Sequence, residues 1–514
     1  MLHTHLIAPI PELIKRHARE RGAKVAYRDA HSSVTYAQLD QRTGALAGHL
    51  ADHGIAPGDM VAILLPNSTQ WVETCLAIAR AGAIGVPISY EATGPEIAYR
   101  LEDANCRAIV STAERGDLVA KLQAGAPSLK TVIATERGGT CGGSRPDALS
   151  YATLLSTAPK SAPRDPALVH EPAFILYTSG TTGRAKGVLL TVHGMLWIVA
   201  ACWAPIAGLS ERDTVLSPLP LFHSYALNLS VLAILATGAS EYIMEKFSTS
   251  EAMRLLKTGE FTCFPGVPTM FHYLLQGAED AKLPGMRLCI SAGAIMPATL
   301  NREFEKRFGI PLLDGYGITE TSTMVTMNWP SGSRVPGSCG LPVPGLSVRI
   351  VDPASGRDVD PGQEGELIVR GPNVMPGYLN KPEETAKALR NGWYHTGDLA
   401  RADENSFLTI TGRLKELIIR GGQNIAPAEI EEVVSTFEPV LDCAVVGAPH
   451  EHLGEVPLLF VVPRAGQTVE AQALLAHCRA HLSAYKVPSA VHLIDAIPRT
   501  GSGKIIRYKL KELL

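Results

Sequence analysis

The sequence has no CxxC pair, no excess of basic charge and no tract of low complexity, and each absence removes a class of protein. Its nine cysteines are odd in number and scattered, which excludes a disulfide framework or a Cys-based zinc site and fits buried thiols in a reducing compartment. With 47 basic against 50 acidic residues and a net charge of −3, there is no electrostatic footprint for nucleic acid or an anionic membrane. The N-terminus lacks a charged region followed by an apolar core, so no secretory signal is expected and the mature protein is expected to begin there. The terminal KELL is not a peroxisomal SKL signal, which leaves the cytoplasm as the expected location. One run, residues 187–210, carries no Asp, Glu, Lys or Arg and is long enough to cross a bilayer. Thr191, His193, Gly194 and Pro205 interrupt it, so a strand, a turn and a buried helix are expected instead of a transmembrane segment.

A chain of 514 residues exceeds what one hydrophobic core usually serves, and about three structural units are expected. From Asp59 the pattern alternates: strand 61–65, helix 69–81, strand 83–88, helix 95–103, strand 107–110. This is the rhythm of a parallel sheet covered on both faces. Residues 138–166, rich in Gly, Ser, Pro and Ala, read as an exposed connection. A second α/β run spans about 215–308. Residues 332–377, rich in Gly, Pro and Val, suggest a β subdomain, and the last hundred or so residues a compact α+β domain. The predicted fold is α/β: two α/β subdomains and a β subdomain in residues 1–411, then a small mobile α+β domain in 412–514.

The densest chemistry lies in residues 177–188, YTSGTTGRAKGV, directly after the apolar strand FILY. Thr178, Ser179, Thr181 and Thr182 offer hydroxyls, Gly180, Gly183 and Gly187 let backbone N–H groups approach a ligand, and Lys186 adds a point charge. Such a loop suits a polyphosphate. It is not a Walker A loop, because Lys186 follows Ala185 and precedes Gly187. GSGK at 501–504 fails too, with Pro498 where the first glycine would stand and Ile505 where Ser or Thr is needed.

Downstream come LFHSYAL (221–227), DGYGITET (314–321), YHTGDLA (394–400), GRLKELIIRGGQNIAPAEIE (412–431) and PRTGSGK (498–504). In this order they resemble the adenylate-forming superfamily of acyl-CoA synthetases, aryl-CoA ligases, luciferases and carrier-protein adenylation domains, over nearly the whole chain. The resemblance implies ATP, Mg²⁺ and coenzyme A. Thr178 to Lys186 would hold the β- and γ-phosphates, Glu320 would carry Mg²⁺, and Thr319 would bind the α-phosphate. Gly293, Asp314, Gly315 and Tyr316 match residues around adenine, and Asp398 the carboxylate that takes both ribose hydroxyls. Arg413 matches a ribose or phosphate contact, Lys415 the inter-domain hinge, and Lys504 the catalytic lysine bridging substrate carboxylate and α-phosphate. Gly421 and Gly422 match the face that admits pantetheine, and Lys246 a CoA contact of aryl-CoA ligases. Where plant aryl-CoA ligases carry a second hinge-region lysine, this chain has Ile419.

The run HSYALN is close to that of hydroxycinnamate-CoA ligases, which places His223 beside the substrate carboxylate and Tyr225 in the acyl pocket. Amino-acid-activating relatives carry an aspartate here, and none is present. Malonate-activating relatives carry arginine where Gly315 stands. A hydrophobic monocarboxylate, aryl or aliphatic, is therefore expected, with Val267, Met270, Met324 and Met327 as apolar lining. Three classes remain open: a CoA ligase, a stand-alone enzyme loading a phosphopantetheinyl carrier protein, and a non-catalytic nucleotide sensor.

Overall fold

The computed structural model describes residues 2–136, 148–178, 185–277, 282–421, 423–499 and 505–514. Strands of almost uninterrupted apolar residues, such as Met60–Leu64 and Ala108–Thr112, have both faces to cover and so lie inside a sheet flanked by helices. They belong to a seven-stranded sheet in the order Leu149–Ser150, Thr131–Thr135, Ala108–Thr112, Met60–Leu64, Ile84–Pro87, Pro172–Thr178, Lys186–Thr191. All its pairings are parallel except the last, where Pro172–Thr178 and Lys186–Thr191 run antiparallel and Thr178 faces Lys186. The expected strands and helices between 61 and 110 are present within a residue or two.

A nine-stranded sheet forms the second α/β unit. Its parallel centre runs from Leu312–Tyr316 through Leu288–Ser291, Cys263–Gly266, Thr214–Ser217 and Ser240–Ile243 to Val25–Arg28. The last of these comes from the N-terminus, a long-range pairing that local pattern does not reveal. The charge-free run is a strand to Thr191 followed by a buried helix, Val192–Ile198, which continues as a wider π-turn over Val199–Trp203. Among the described residues no helix is long and apolar enough to cross a membrane.

The expectation of an exposed connection at 138–166 is corrected in part. Residues 137–147 lie outside the description, but Tyr151–Ser156 is a helix. Tyr151 is fully buried and donates to Glu73 across 2.9 Å, which gives that buried carboxylate a partner beside Arg42. The β subdomain also extends further than its Gly-Pro-Val composition suggested. Ser347–Val351, Gly365–Arg370, Trp393–Ala402 and Leu408–Arg413 form successive antiparallel pairs.

After Arg413 the chain enters a separate five-stranded sheet, beginning with Ile418–Arg420 and centred on the long pair Val440–His450 and Gly454–Pro463. Helices Pro427–Ser435 and Ala471–His481 cover one face through Ile430, Val434, Leu474 and Cys478. Leu510 of the helix Arg507–Lys511 packs on the other face against Ala444, Val446 and Phe460. The eight cysteines among the described residues are buried and free, and burial pushes the thiols of Cys106, Cys263 and Cys339 up to about 12.

Candidate active site

The strand Leu312–Tyr316 ends in Asp314, Gly315 and Tyr316, and the chain then turns through the short helix Thr319–Thr321 that carries Glu320. This turn is strained. Ser322 and the β-branched Thr323 take φ of 53° and 106°, and a Cβ on Gly317 would meet the Thr323 carbonyl oxygen at 1.4 Å, so only glycine fits. Buried Asn373 holds the turn by donating to the carbonyls of Thr321 and Met324 at 2.8 and 3.1 Å. Ser322 Oγ donates to the Asn373 carbonyl in return.

Tyr316 lies beside Asp398 of the strand Trp393–Ala402, and its hydroxyl donates to Asp398 Oδ2 at 2.5 Å. Burial, followed by the charge of Asp398, drives the Tyr316 phenol well above its ordinary value, so it remains a donor. Asp398 Oδ1 takes a second charged contact from Arg413 Nε at 2.9 Å. A carboxylate has lone pairs to spare after these two bonds and can still accept from vicinal hydroxyls. Asp314 is also buried. Its Oδ1 has no partner among the described residues, and burial pushes its carboxyl well above the usual carboxylate range.

His223 caps the helical run that starts at Ser224: its Nδ1 accepts the backbone N–H of Tyr225 at 3.3 Å. That bond places the ring proton of neutral His223 on Nε2. Ser224 Oγ lies 3.2 Å from Thr319 Oγ1, joining this helix end to the Glu320 turn. Tyr225 is buried, stacks on Trp203 and directs its hydroxyl to the Ile290 carbonyl. Gly315 is packed tightly: an added Cβ would lie 2.3 Å from Met324 Cε and 2.9 Å from the Thr326 carbonyl oxygen. Gly293 adopts φ 87°, with Val267 nearest its open face.

Helix Gly94–Asp103 grips the base of the glycine- and threonine-rich loop. Tyr99 donates to the Ala185 carbonyl at 2.8 Å, and Tyr177 donates to Asp103 at 2.7 Å. Lys186 is ion-paired to Glu384 and lies 5.0 Å from the centroid of the Tyr378 ring. The Tyr378 hydroxyl in turn lies 3.1 Å from Glu320 Oε1.

The structure thus gathers Thr319, Glu320, His223, Tyr316, Asp398 and Arg413, with Lys186 joined to them through Tyr378. Other expected site residues stand apart. Lys246 is largely exposed with Glu91 3.0 Å away, Lys415 is exposed, and Gly421 pairs with the Leu453 carbonyl at 2.7 Å. Ser179, Gly180, Thr181, Thr182, Gly422 and Lys504 lie outside the described residues. Asn373, Tyr378 and Glu384 were not read from sequence, although the tight GYLN step followed by PEE marked a turn into a helix whose first residues include Glu384.

No three His, Cys, Asp or Glu side chains among the described residues group to hold a metal. A single carboxylate, Glu320, set among hydroxyls fits Mg²⁺, which takes one or two protein carboxylates and draws its other ligands from phosphates and water.

The chain matches the family model described as AMP-binding enzyme over residues 14–379 and that described as AMP-binding enzyme C-terminal domain over 429–504. It is 35% identical to a feruloyl-CoA synthase of an Amycolatopsis species over 499 residues, covering 96% of this chain and 97% of that one. It is 34% identical to a long-chain-fatty-acid–CoA ligase of Yersinia pestis, covering 98% and 93%. Among solved structures, the anthranilate CoA ligase AuaEII in complex with anthranoyl-AMP superposes with a TM-score of 0.90 at 25% identity, over 98% of this chain and 97% of that one. The chain belongs to the adenylate-forming enzymes of the AMP-binding family, as its motifs implied.

Proposed function

We propose that this AMP-forming acid–CoA ligase acts on a hydrophobic monocarboxylate, aryl or aliphatic, in two half-reactions. The observation that carries this reading is the convergence of Glu320, Thr319, His223, Tyr316 and Asp398 on one turn, with Lys186 linked to it through Tyr378. In the first half-reaction a carboxylate oxygen attacks the α-phosphorus of ATP. The P–O bond to pyrophosphate breaks as the acyl–phosphate bond forms.

Residues 178–186 would hold the departing pyrophosphate, with Lys186 as its cation. Asp398 would take the ribose hydroxyls beside Tyr316, and Asp314 Oδ1, left without a partner among the described residues, would suit an adenine amino group. The Nε2–H of His223 would orient the attacking carboxylate, and Lys504 would bridge it to the α-phosphate. Glu320 would hold Mg²⁺, which would supply neutralisation of the phosphate charge.

In the second half-reaction a thiolate attacks the acyl carbonyl, and AMP leaves as the thioester forms. Coenzyme A is the proposed thiol donor, because the relatives matched over nearly their full lengths are named for CoA thioesters. Residues 412–514 would turn about Lys415 to exchange Lys504 for the face bearing Gly421 and Gly422, with Lys246 near the CoA nucleotide. The acid is proposed to be apolar, because thioethers and a backbone carbonyl crowd Gly315 and offer no cation to a second carboxylate. The buried free thiols fit a cytoplasmic setting.

The test is a panel of fatty acids of graded length, benzoates and cinnamates, read by pyrophosphate release with and without CoA. Acid-dependent release followed by CoA-dependent thioester formation is the expected outcome. Release with no acid of the panel, or acyl transfer only to a carrier protein, would overturn the proposal.

A further inference from the structure

Residues 373–379 form a brace between two parts of the site that are far apart in sequence. At one end Asn373 holds the strained turn after Glu320, and the Met375 N–H donates to the Glu320 carbonyl at 2.8 Å. At the other end the segment pairs with the strand Lys186–Thr191. Leu189 N donates to the Gly377 carbonyl, Leu379 N donates to the Gly187 carbonyl, and Tyr378 bridges to Val188. Thr385 Oγ1 accepts the Tyr378 N–H at 2.9 Å, which fixes the residue's backbone. A side chain at this position is therefore held by both the phosphate strand and the metal-carboxylate turn.

That side chain is Tyr378. Its ring is half-buried beneath the Lys186 ammonium, and its hydroxyl reaches Glu320 Oε1. We infer that Tyr378 is a positioning residue, whose hydroxyl holds the Glu320 carboxylate in its metal-accepting orientation while its ring supports the Lys186 cation. This inference rests on the roles given above to Glu320 and Lys186. One feature favours it over simple packing. A carboxylate that keeps one oxygen hydrogen-bonded loses rotational freedom before the metal arrives, which is the ordinary function of an outer-sphere donor at a metal ligand. One residue thereby couples the phosphate cation to the metal carboxylate.

The experiment measures binding of α,β-methylene ATP, which cannot be cleaved at the α-phosphate, to the full chain in EDTA and in Mg²⁺. The ratio of the two affinities is the Mg²⁺ enhancement, and Mn²⁺ electron paramagnetic resonance counts metal in the ternary complex. Tyr378→Phe keeps the ring and removes the hydroxyl. It is expected to leave the EDTA affinity within about twofold and to cut the Mg²⁺ enhancement roughly three- to tenfold, the scale of one ordinary net hydrogen bond. Tyr378→Leu, which also removes the ring, is expected to weaken binding in EDTA as well.

If Tyr378→Phe retains the full enhancement while Glu320→Gln loses it, the role of Tyr378 is overturned and the metal role of Glu320 stands. If Glu320→Gln also retains it, the reading of the site is overturned as well. Equal weakening in EDTA and in Mg²⁺ by Tyr378→Phe would mean general loosening of the segment and would also overturn the positioning role.

Discussion

Arg413 donates to Asp398 across 2.9 Å, so the final strand before the small domain and its neighbour Trp393–Ala402 share one charge pair. The attraction of Asp398 is the largest influence raising the Arg413 guanidinium above its ordinary value. Asp398 is almost wholly buried, and removing Arg413 leaves its carboxylate with the Tyr316 hydroxyl as its remaining side-chain donor among the described residues. Arg413→Ala is therefore expected to lower kcat/KM for ATP by roughly tenfold or more, the scale of losing a charge-assisted contact. Arg413→Lys should recover only part of the loss, since a point charge does not reproduce the planar fork. Steady-state kinetics at saturating acid checks both.

Glu384 pairs with Lys186, and the lysine first among several causes keeps the Glu384 carboxyl below its ordinary value. The phosphates of ATP would compete for the same cation. Glu384→Gln is expected to lower KM for ATP by about two- to threefold, because a partly exposed ion pair is weak. The difference between variant and wild type should shrink at high salt.

The packing around Gly315 makes a size prediction. A Cβ there meets Met324, which can move, and the Thr326 carbonyl, which belongs to the paired strand Thr326–Met327 and cannot shift freely. Gly315→Ala should discriminate against bulky acids, lowering kcat/KM for an aryl acid by at least about tenfold more than for a short aliphatic acid. Pyrophosphate exchange with matched acids measures the difference.

What could be read in advance divides along the range of the interactions. The strands around Met60–Leu64 and Pro172–Thr178 announce themselves because burial on both faces demands an unbroken apolar run, a local property. Glu320 and Asp398 could be singled out as candidates because short motifs surround them. The pairing of Val25–Arg28 with Ser240–Ile243 was not, since only tertiary structure brings residues that distant together. Tyr378 escaped for the same reason. Its function depends on touching Lys186 and Glu320 at once, and its own neighbours in sequence describe only a turn. The helix at Tyr151 was hidden in polar, glycine-rich surroundings, and its reason for existing is a carboxylate at Glu73.

His17 supplies a pH-dependent element of stability. Burial is the main cause that lowers its ring to about 4, and its Nε2–H donates to the Ala236 carbonyl while the ring packs beside Tyr36. The unfolded chain takes up this proton near pH 6.5, whereas the folded chain resists until about pH 4. The neutral-state stability is thus fully present above pH 6.5 and declines as the pH falls through that window, by up to about 3 kcal/mol. His17→Leu removes the titrating group. Its apparent unfolding temperature should fall less between pH 6.5 and 4 than that of the wild type, and identical slopes would refute the assignment.

Residues 500–504 are flanked by two arginine anchors. Arg499 makes two 2.9 Å contacts with Asp442, and Arg507 donates to Glu416, Glu431 and the Val445 carbonyl, with Arg499 and Ile505 bridged between them. Glu416 immediately follows the proposed hinge residue Lys415, so Arg507 ties the hinge to the small domain. Lys504→Ala and Arg507→Ala should therefore fail differently. Lys504→Ala removes the proposed transition-state cation and should slow adenylate formation by roughly 10²- to 10³-fold, while thioester formation from supplied acyl-AMP and CoA continues. Arg507→Ala leaves Glu431 and Glu416 without their shared cation, a loss that loosens the domain as a whole. It should lower the thermal midpoint of that domain and slow both half-reactions, and measuring each half-reaction separately in both variants distinguishes the cation that acts on substrate from the one that holds the domain in shape.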